Sequence, residues 1–279
     1  MSDIVEKMKK FKLRRDLAID FCGHKLFRIE AVCDIEKQDV KAGDLGGYVE
    51  KEENLDGNAW VYGDARVYGD ARVYDNAWVS GNAWVSGDAR VYDNAQVYGD
   101  AQVSGNARVY GNAWVYGDAR VYGDARVYDN AWVSGNAWVS GDARVYDNAQ
   151  VYGDAWVSGD AQVSGNARVY GNARVYGDAQ VYGNARVYGN AWVYGDAQVY
   201  GNARVYGDKI ERRADVCNIT NQQYNITITP LHIKIGCQYH AKKAWFNFTD
   251  KEIEKMDGQH AVGWWKVWKP ILQQICEQK

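Results

Sequence analysis

"GNAWVYGDARVYGDARVYDNAWVSGNAWVSGDARVY", residues 57–92, is one six-residue unit written six times. Each unit begins with Gly or Asp, then Asp or Asn, then Ala, a variable residue, Val, and Tyr or Ser. The pattern runs without insertion for 25 hexads, from Gly57 to Tyr206. In an extended A-x-V-x, alternate residues face opposite ways. Ala and Val therefore point inward, and Arg, Trp or Gln with Tyr or Ser point outward. Gly followed by Asp or Asn supplies a corner, because these residues tolerate left-handed backbone angles. One hexad buries too little to fold alone. Stacked coils share a continuous core and pair their backbone groups along the axis.

Residues 57–98 recur identically at 111–152, a shift of 54 residues or nine hexads. Nine is three turns of three hexads, which predicts a triangular prism with 18 residues per coil. "GDAQVSGNARVY" at 99 recurs at 159, shifted by ten hexads, because "GDAWVS" (153–158) is extra in the second copy. The phase extends backwards through Val61, Leu55 and Val49. It fails after Gly207, where Lys209 falls in the Ala position and Glu211 in the Val position. The expected organisation is an N-terminal capping segment (1–48), a solenoid (49–206) and a C-terminal α/β segment (207–279) that caps the rod or binds a partner. At about 4.8 Å per coil the rod is roughly 40 Å long.

Composition narrows the function classes. The 279 residues carry a formal charge of −3, neither a strongly basic nucleic-acid binder nor a DNA mimic. Two Pro against 21 Tyr and 12 Trp argue against disorder. No apolar run approaches the ~20 residues of a membrane span, and the N-terminus lacks the apolar core of a signal peptide. A cytoplasmic protein is expected. Five cysteines without regular spacing read as reduced thiols.

The V-x-x-x-A-x pattern over about 150 residues resembles the left-handed β-helix hexapeptide-repeat (acyltransferase-like) superfamily. Residues 31–65 look like the entry segment of hexapeptide proteins of the YdcK type, often labelled transferases. "IKIGCQYHAKKAW" (233–245) is similar to the C-terminal part of phage and prophage proteins of that group. The resemblance implies a mainly β, single-stranded, left-handed parallel β-helix in a bacterial host cell, and it suggests trimers. Flat polar faces would also permit a monomer. Acyltransferases on this fold generally use a His as general base, yet the 25 hexads contain no His, Cys, Lys, Glu or Thr. A group that titrates near neutral pH is thus missing from the whole prism surface.

With three hexads per turn, Arg72, Arg90, Arg108, Arg126 and Arg144 share one face, continuing as Gln162, Gln180 and Gln198. Tyr74, Tyr92, Tyr110, Tyr128 and Tyr146 form the next outward column. A second face shows Trp60, Trp78, Gln96, Trp114, Trp132 and Gln150. Like side chains one coil apart are expected to stack into ladders. All eleven Arg hexads end in Tyr, which fits guanidinium lying on an aromatic face, and the fifteen Asp of the repeats roughly balance the charge. The Arg column and the Trp face are candidate binding surfaces. They suit a protein partner, or less well a glycan. Nucleic acid fits poorly, because the coil repeat is shorter than an extended strand's phosphate spacing.

Both ends need caps. Ile4, Met8 and Phe11 stand at helical spacing, Lys7, Lys9, Lys10, Lys12, Arg14 and Arg15 read as its solvated face, and 25–32 reads as a strand. "GDLGGYV" (43–49) is expected to turn into the first coil. In the C-terminal segment, 225–235 alternates like a strand or hairpin around Pro230, Thr249 and Glu252 form a capping box, and 261–279 reads as a helix broken or kinked near Pro270. Trp264 and Trp265 are candidate partner contacts. Cys237 and His240, three apart, are a weak catalytic or zinc candidate without paired ligands or an orienting acid. No metal or cofactor is expected. The expected function is a non-enzymatic scaffold that recognises a protein. The alternative is an acyltransferase-like enzyme with an atypical site in the C-terminal segment.

Overall fold

The computed structural model describes residues 9–220 and 222–278. Every hexad forms a short strand, β4 (Trp60–Val61) to β28 (Arg204–Tyr206), and Lys209–Ile210 adds β29. Strands three hexads apart pair in parallel, as Arg108 with Arg126 and Val109 with Val127, so one coil is 18 residues. Three flat sheets result. The eight-stranded sheet holds the column from Arg72 to Gln198. The nine-stranded sheet runs from Trp60 through Gln150 to Arg168, Arg186 and Arg204. The twelve-stranded sheet runs from Tyr48 and Arg66 to Trp192 and Lys209. The inward Ala and Val are 0 % exposed from Ala65 to Val205, which is the burial their alternation predicts. This is a mostly β, parallel β-solenoid.

The corners repeat one backbone conformation. Gly141 has φ +65°, and a Cβ on it would lie 2.9 Å from the backbone N of Gly159 in the next coil. Asp75, Asp93, Asp129 and Asp147 hold equivalent left-handed corners at φ 59–60°, and Asp93 and Asp147 each accept a hydrogen bond from the next coil's Gly N–H at 3.0 Å. That bond offsets the left-handed backbone. Gly141→Ala has no such bond and is expected to lower stability by about 1–3 kcal/mol, seen as a lower thermal midpoint.

The rod is polar along its axis. Each rung donates its N–H to the following coil, as Arg66 N to Ala83 O at 2.9 Å. The N-terminal end therefore offers carbonyls and the C-terminal end offers N–H groups. Both are covered. Asn54, fully buried, donates its side-chain amide to Ala71 O at 2.8 Å, and Lys9 Nζ donates to Glu52 O at 3.0 Å. At the far end Thr227 Oγ1 accepts from Arg204 N at 3.3 Å.

The N-terminal cap is a hairpin, not a helix. β1 (Phe11–Phe21) and β2 (His24–Ala31) pair antiparallel, and β3 (Leu45–Val49) joins them to the twelve-stranded sheet. Phe11 opens β1, and Lys12 and Arg14 on it bind Glu30. Ile4, Lys7 and Met8 lie outside the described residues. β3 pairs with β5 and so satisfies backbone groups on the open sheet edge of the first coil, which a helix packed there would leave unpaired.

The C-terminal unit has its own core. β30 (Cys217–Ile219), β31 (Ile226–Ile228), β32 (His232–Ile235) and β33 (Gln238–Ala241) form an antiparallel sheet, followed by α1 (Lys242–Asn247) and α2 (Asp250–Glu277). The Thr249–Glu252 capping box forms. The helix is not broken at Pro270. It breaks at Asp257–Gly258, where Gly258 takes φ +77°, and it continues through Pro270. Proline's fixed φ is compatible with a helix, at the loss of one donor and with its ring crowding the carbonyl one turn back.

Candidate binding surfaces at the C-terminal end

The predicted columns form, with changed roles. Tyr74, Tyr92, Tyr110, Tyr128 and Tyr146 stack ring on ring at 4.9–5.0 Å. Trp114 and Trp132 stack at 5.2 Å. Trp60, however, is 1 % exposed and belongs to the hydrophobic cluster that contains Phe11, so it is core rather than contact surface. Three repeat arginines lie over Trp or Phe rather than over the Tyr of their own hexad: Arg66 over Phe21 of the N-terminal hairpin, and Arg120 and Arg174 over Trp of neighbouring rungs. Arg174 sits between Trp156 and Trp192 at 5.3 and 5.1 Å, and Arg120 lies over Trp138 at 5.0 Å. The Tyr rings are already engaged with each other, one coil apart.

Four of the five arginines in the predicted column have aspartates at both flanking corners. Arg72 has Asp70 and Asp75, Arg90 has Asp88 and Asp93, Arg126 has Asp124 and Asp129, and Arg144 has Asp142 and Asp147. The field there is largely compensated.

Cys237 and His240 do not come together. The His240 ring packs edge-on against Trp245 and Phe248 at 5.2 and 5.0 Å, and Nε2 lies 3.4 Å from Gln238 Oε1. Burial lowers its pKa, which favours the neutral ring. Among the described residues, no three His, Cys, Asp or Glu side chains gather as a metal site would require.

A different histidine is organised. Asp208, 0 % exposed, accepts from Thr229 Oγ1 at 2.7 Å and from Leu231 N at 3.1 Å, and it lies 3.0 Å from His232 Nδ1 and from Tyr239 Oη. The Tyr239 hydroxyl also binds the Tyr206 carbonyl. This network fastens the C-terminal unit to the last coil. Sequence reasoning missed it, because Asp208 looks like any corner aspartate. The available signal was Ile210, an apolar residue out of phase with the hexad.

Two cavities lie beside this seam. One, of about 400 Å³, is lined by Arg186, Arg204, Lys234, Asn184, Asn202 and Thr227 among others. The other, of about 120 Å³, is apolar and is lined by Cys237, Ile253, Met256, Trp264 and Trp265. Tyr224 and Gly236 form part of both walls. Cys237, Trp264 and Trp265 of the sequence reading are thus brought together, though Trp265 is 2 % exposed. Neither cavity is lined by His232 or His240.

On α2, Val267 is 62 % and Ile271 40 % exposed. With Trp264 and Trp268, stacked at 5.5 Å, they occupy positions i, i+3, i+4 and i+7 of one helix face. Val262, Trp265 and Leu272 of the same helix are buried in the unit's core.

The YdcK beta solenoid repeat model matches twelve windows between 65 and 213, which tile 65–99, 101–117, 119–177, 179–195 and 197–213. More than half of the 279 residues are covered. The chain belongs to the YdcK β-solenoid repeat family. The last YdcK window, 197–213, reaches past the final hexad to include Asp208 and Ile210. No curated protein matches the chain. No helix among the described residues is long and apolar enough to cross a membrane.

Proposed function

We propose that this YdcK-type solenoid is a non-enzymatic scaffold that holds a recognition unit at its C-terminal end and binds a protein partner there. The observation that carries the reading is the exposed apolar face of α2, Val267 and Ile271 flanked by Trp264 and Trp268. An apolar helical stripe at i, i+3, i+4 and i+7 suits a protein groove or a second helix. The rod supplies reach and a rigid base, and its repeats carry no residue that titrates near neutral pH. The resemblance of 31–65 and 233–245 to phage and prophage hexapeptide proteins supports placing the partner in a bacterial cytoplasm.

The test is affinity capture with the intact chain and two variants. Val267→Lys with Ile271→Lys is expected to weaken capture of a specific protein at least about ten-fold. Arg108→Gln with Arg126→Gln, far down the rod, is expected to leave it unchanged. Capture that follows the Arg108 column instead would move the recognition surface to the rod. Acyl-CoA consumption that is abolished by His232→Ala or His240→Ala would replace this reading with the enzymatic one.

A further inference from the structure

We propose that the cleft between the last coils and the β31–β32 hairpin is an oxyanion site for a phosphorylated small molecule, whose apolar or aromatic part enters the adjoining Trp-lined pocket.

Charge comes first. Arg186 and Arg204 are direct register partners on the nine-stranded sheet, and Lys234 joins them from β32. Among the described residues, no carboxylate lies within 4.0 Å of any of the three, and none lines the cleft. The corners explain why. Beside the last three rungs of this sheet stand Asn166, Asn184 and Asn202 on one side, and Asn172 and Asn190 on the other. The sixth corner, Asp208, is buried and engaged by the C-terminal unit.

Lys234 is the second observation. It is 6 % exposed, and its ammonium donates to the Gly236 carbonyl alone among the described partners. A buried ammonium without a counter-charge is unfavourable. Burial, then Arg204 and Arg186, push its pKa below the ordinary lysine range. An anion in the cleft would relieve all three effects.

Geometry favours phosphate over a single carboxylate. Arg186 and Arg204 stand on adjacent rungs, which lie about 4.8 Å apart, so two guanidinium forks are within reach of one anion. Each fork matches one O–P–O edge, and a phosphate dianion meets more of the positive charge than one carboxylate does. The corner amides add a donor. Asn166 donates to Asn184 at 3.2 Å and Asn184 to Asn202 at 3.3 Å. The ladder thus ends at the Asn202 amide N–H₂ on the wall of the cleft, each amide polarising the next.

The adjoining pocket accounts for the rest of the ligand. It shares Tyr224 and Gly236 with the cleft, its lining is mainly apolar, and its volume of about 120 Å³ suits one aromatic ring. Trp265 Nε1, which lies on a residue lining it, is buried without a hydrogen-bond partner. Such a donor is matched by a ligand acceptor.

The test is calorimetric titration of the intact protein with inorganic pyrophosphate, phenyl phosphate, inorganic phosphate and succinate at fixed ionic strength. Pyrophosphate and phenyl phosphate are expected to bind at one site per chain. Phenyl phosphate should bind more tightly than inorganic phosphate and perturb tryptophan fluorescence. Arg186→Gln with Arg204→Gln should weaken binding about 10–100-fold. Gln already occupies this column at Gln96 and Gln150, so the variant keeps a side chain the rung accepts. Arg108→Gln with Arg126→Gln should leave binding intact. The proposal is overturned by no saturable binding, by equal binding in the Arg186/Arg204 variant, by phenyl phosphate binding no better than inorganic phosphate, or by succinate binding as tightly as pyrophosphate. None of these outcomes bears on the α2 stripe, which the capture variants test separately.

Discussion

Asp208→Ala is expected to release the C-terminal unit from the rod while the coils stay folded. Asp208 takes the position that Ala holds in every hexad, since Trp192 N donates to Asp208 O at 2.8 Å as Arg174 N does to Ala191 O at 2.9 Å. Alanine there restores the repeat, so the solenoid itself has little to lose. The docking does. The substitution strands Leu231 N–H and His232 Nδ1 and takes an acceptor from Thr229 Oγ1 and Tyr239 Oη, which keep the His232 and Tyr206 carbonyls; all four are now gathered on one buried carboxylate within 3.1 Å. Removing a buried charged acceptor of this kind costs about 3–5 kcal/mol. The two units have separate hydrophobic clusters, so little apolar burial replaces the lost bonds. Hydrogen exchange should show amides near β31 and β32 losing protection while coil amides such as Arg108 and Arg126 keep theirs. Equal protection in variant and parent would mean that the seam is held elsewhere.

Asp208 also shows where reading the sequence stops. Alternation told the orientation of every Ala and Val, and the nine-hexad duplication told the coil length, because both are periodic and local. At 207–210 the chain drops one residue. Continuing the hexad puts Lys209 inside. The structure instead pairs Lys209 with Trp192 and buries Ile210 against Val193. A one-residue slip exchanges the two faces, and burying Ile rather than Lys decides it. Arg186 and Arg204 were hidden by arithmetic: eleven Arg and fifteen Asp balance over the whole repeat but not over its last coils. The difference between GDARVY and GNARVY was readable. Lys234 was not, because a tertiary contact brings it there. At the N-terminus, the Ile4–Met8–Phe11 spacing and its charged face suggested a helix over a segment whose described part is strand. An open sheet edge overrides local periodicity where strand pairing completes it.

Raising the pH is expected to unfold the rod cooperatively between about pH 10 and 12, by way of its tyrosine columns. Tyr92 and Tyr128 are pushed up to about 12, first by burial and then by stacked tyrosines on either side. Burial likewise raises Tyr74, Tyr110, Tyr152 and Tyr188. The sign follows from linkage. The folded state holds these protons more tightly than the unfolded chain, whose tyrosines ionise near pH 10. Stability is therefore unaffected below about pH 10 and falls as pH rises towards the folded-state values. Nearby Arg90, Arg108 and Arg144 oppose the shift, and Asp93 and Asp129 add to it. Rings 4.9–5.0 Å apart cannot all carry charge cheaply, so the first ionisations favour opening the column. Tyrosinate absorbance should rise late and together with loss of the β-sheet signal. Tyr92→Phe with Tyr128→Phe removes the two largest shifts within the stacked column and should move the midpoint to higher pH. Tyrosinate that forms gradually around pH 10 while the sheets persist would show that the stacked rings ionise in place, and that the columns are not the alkaline weak point.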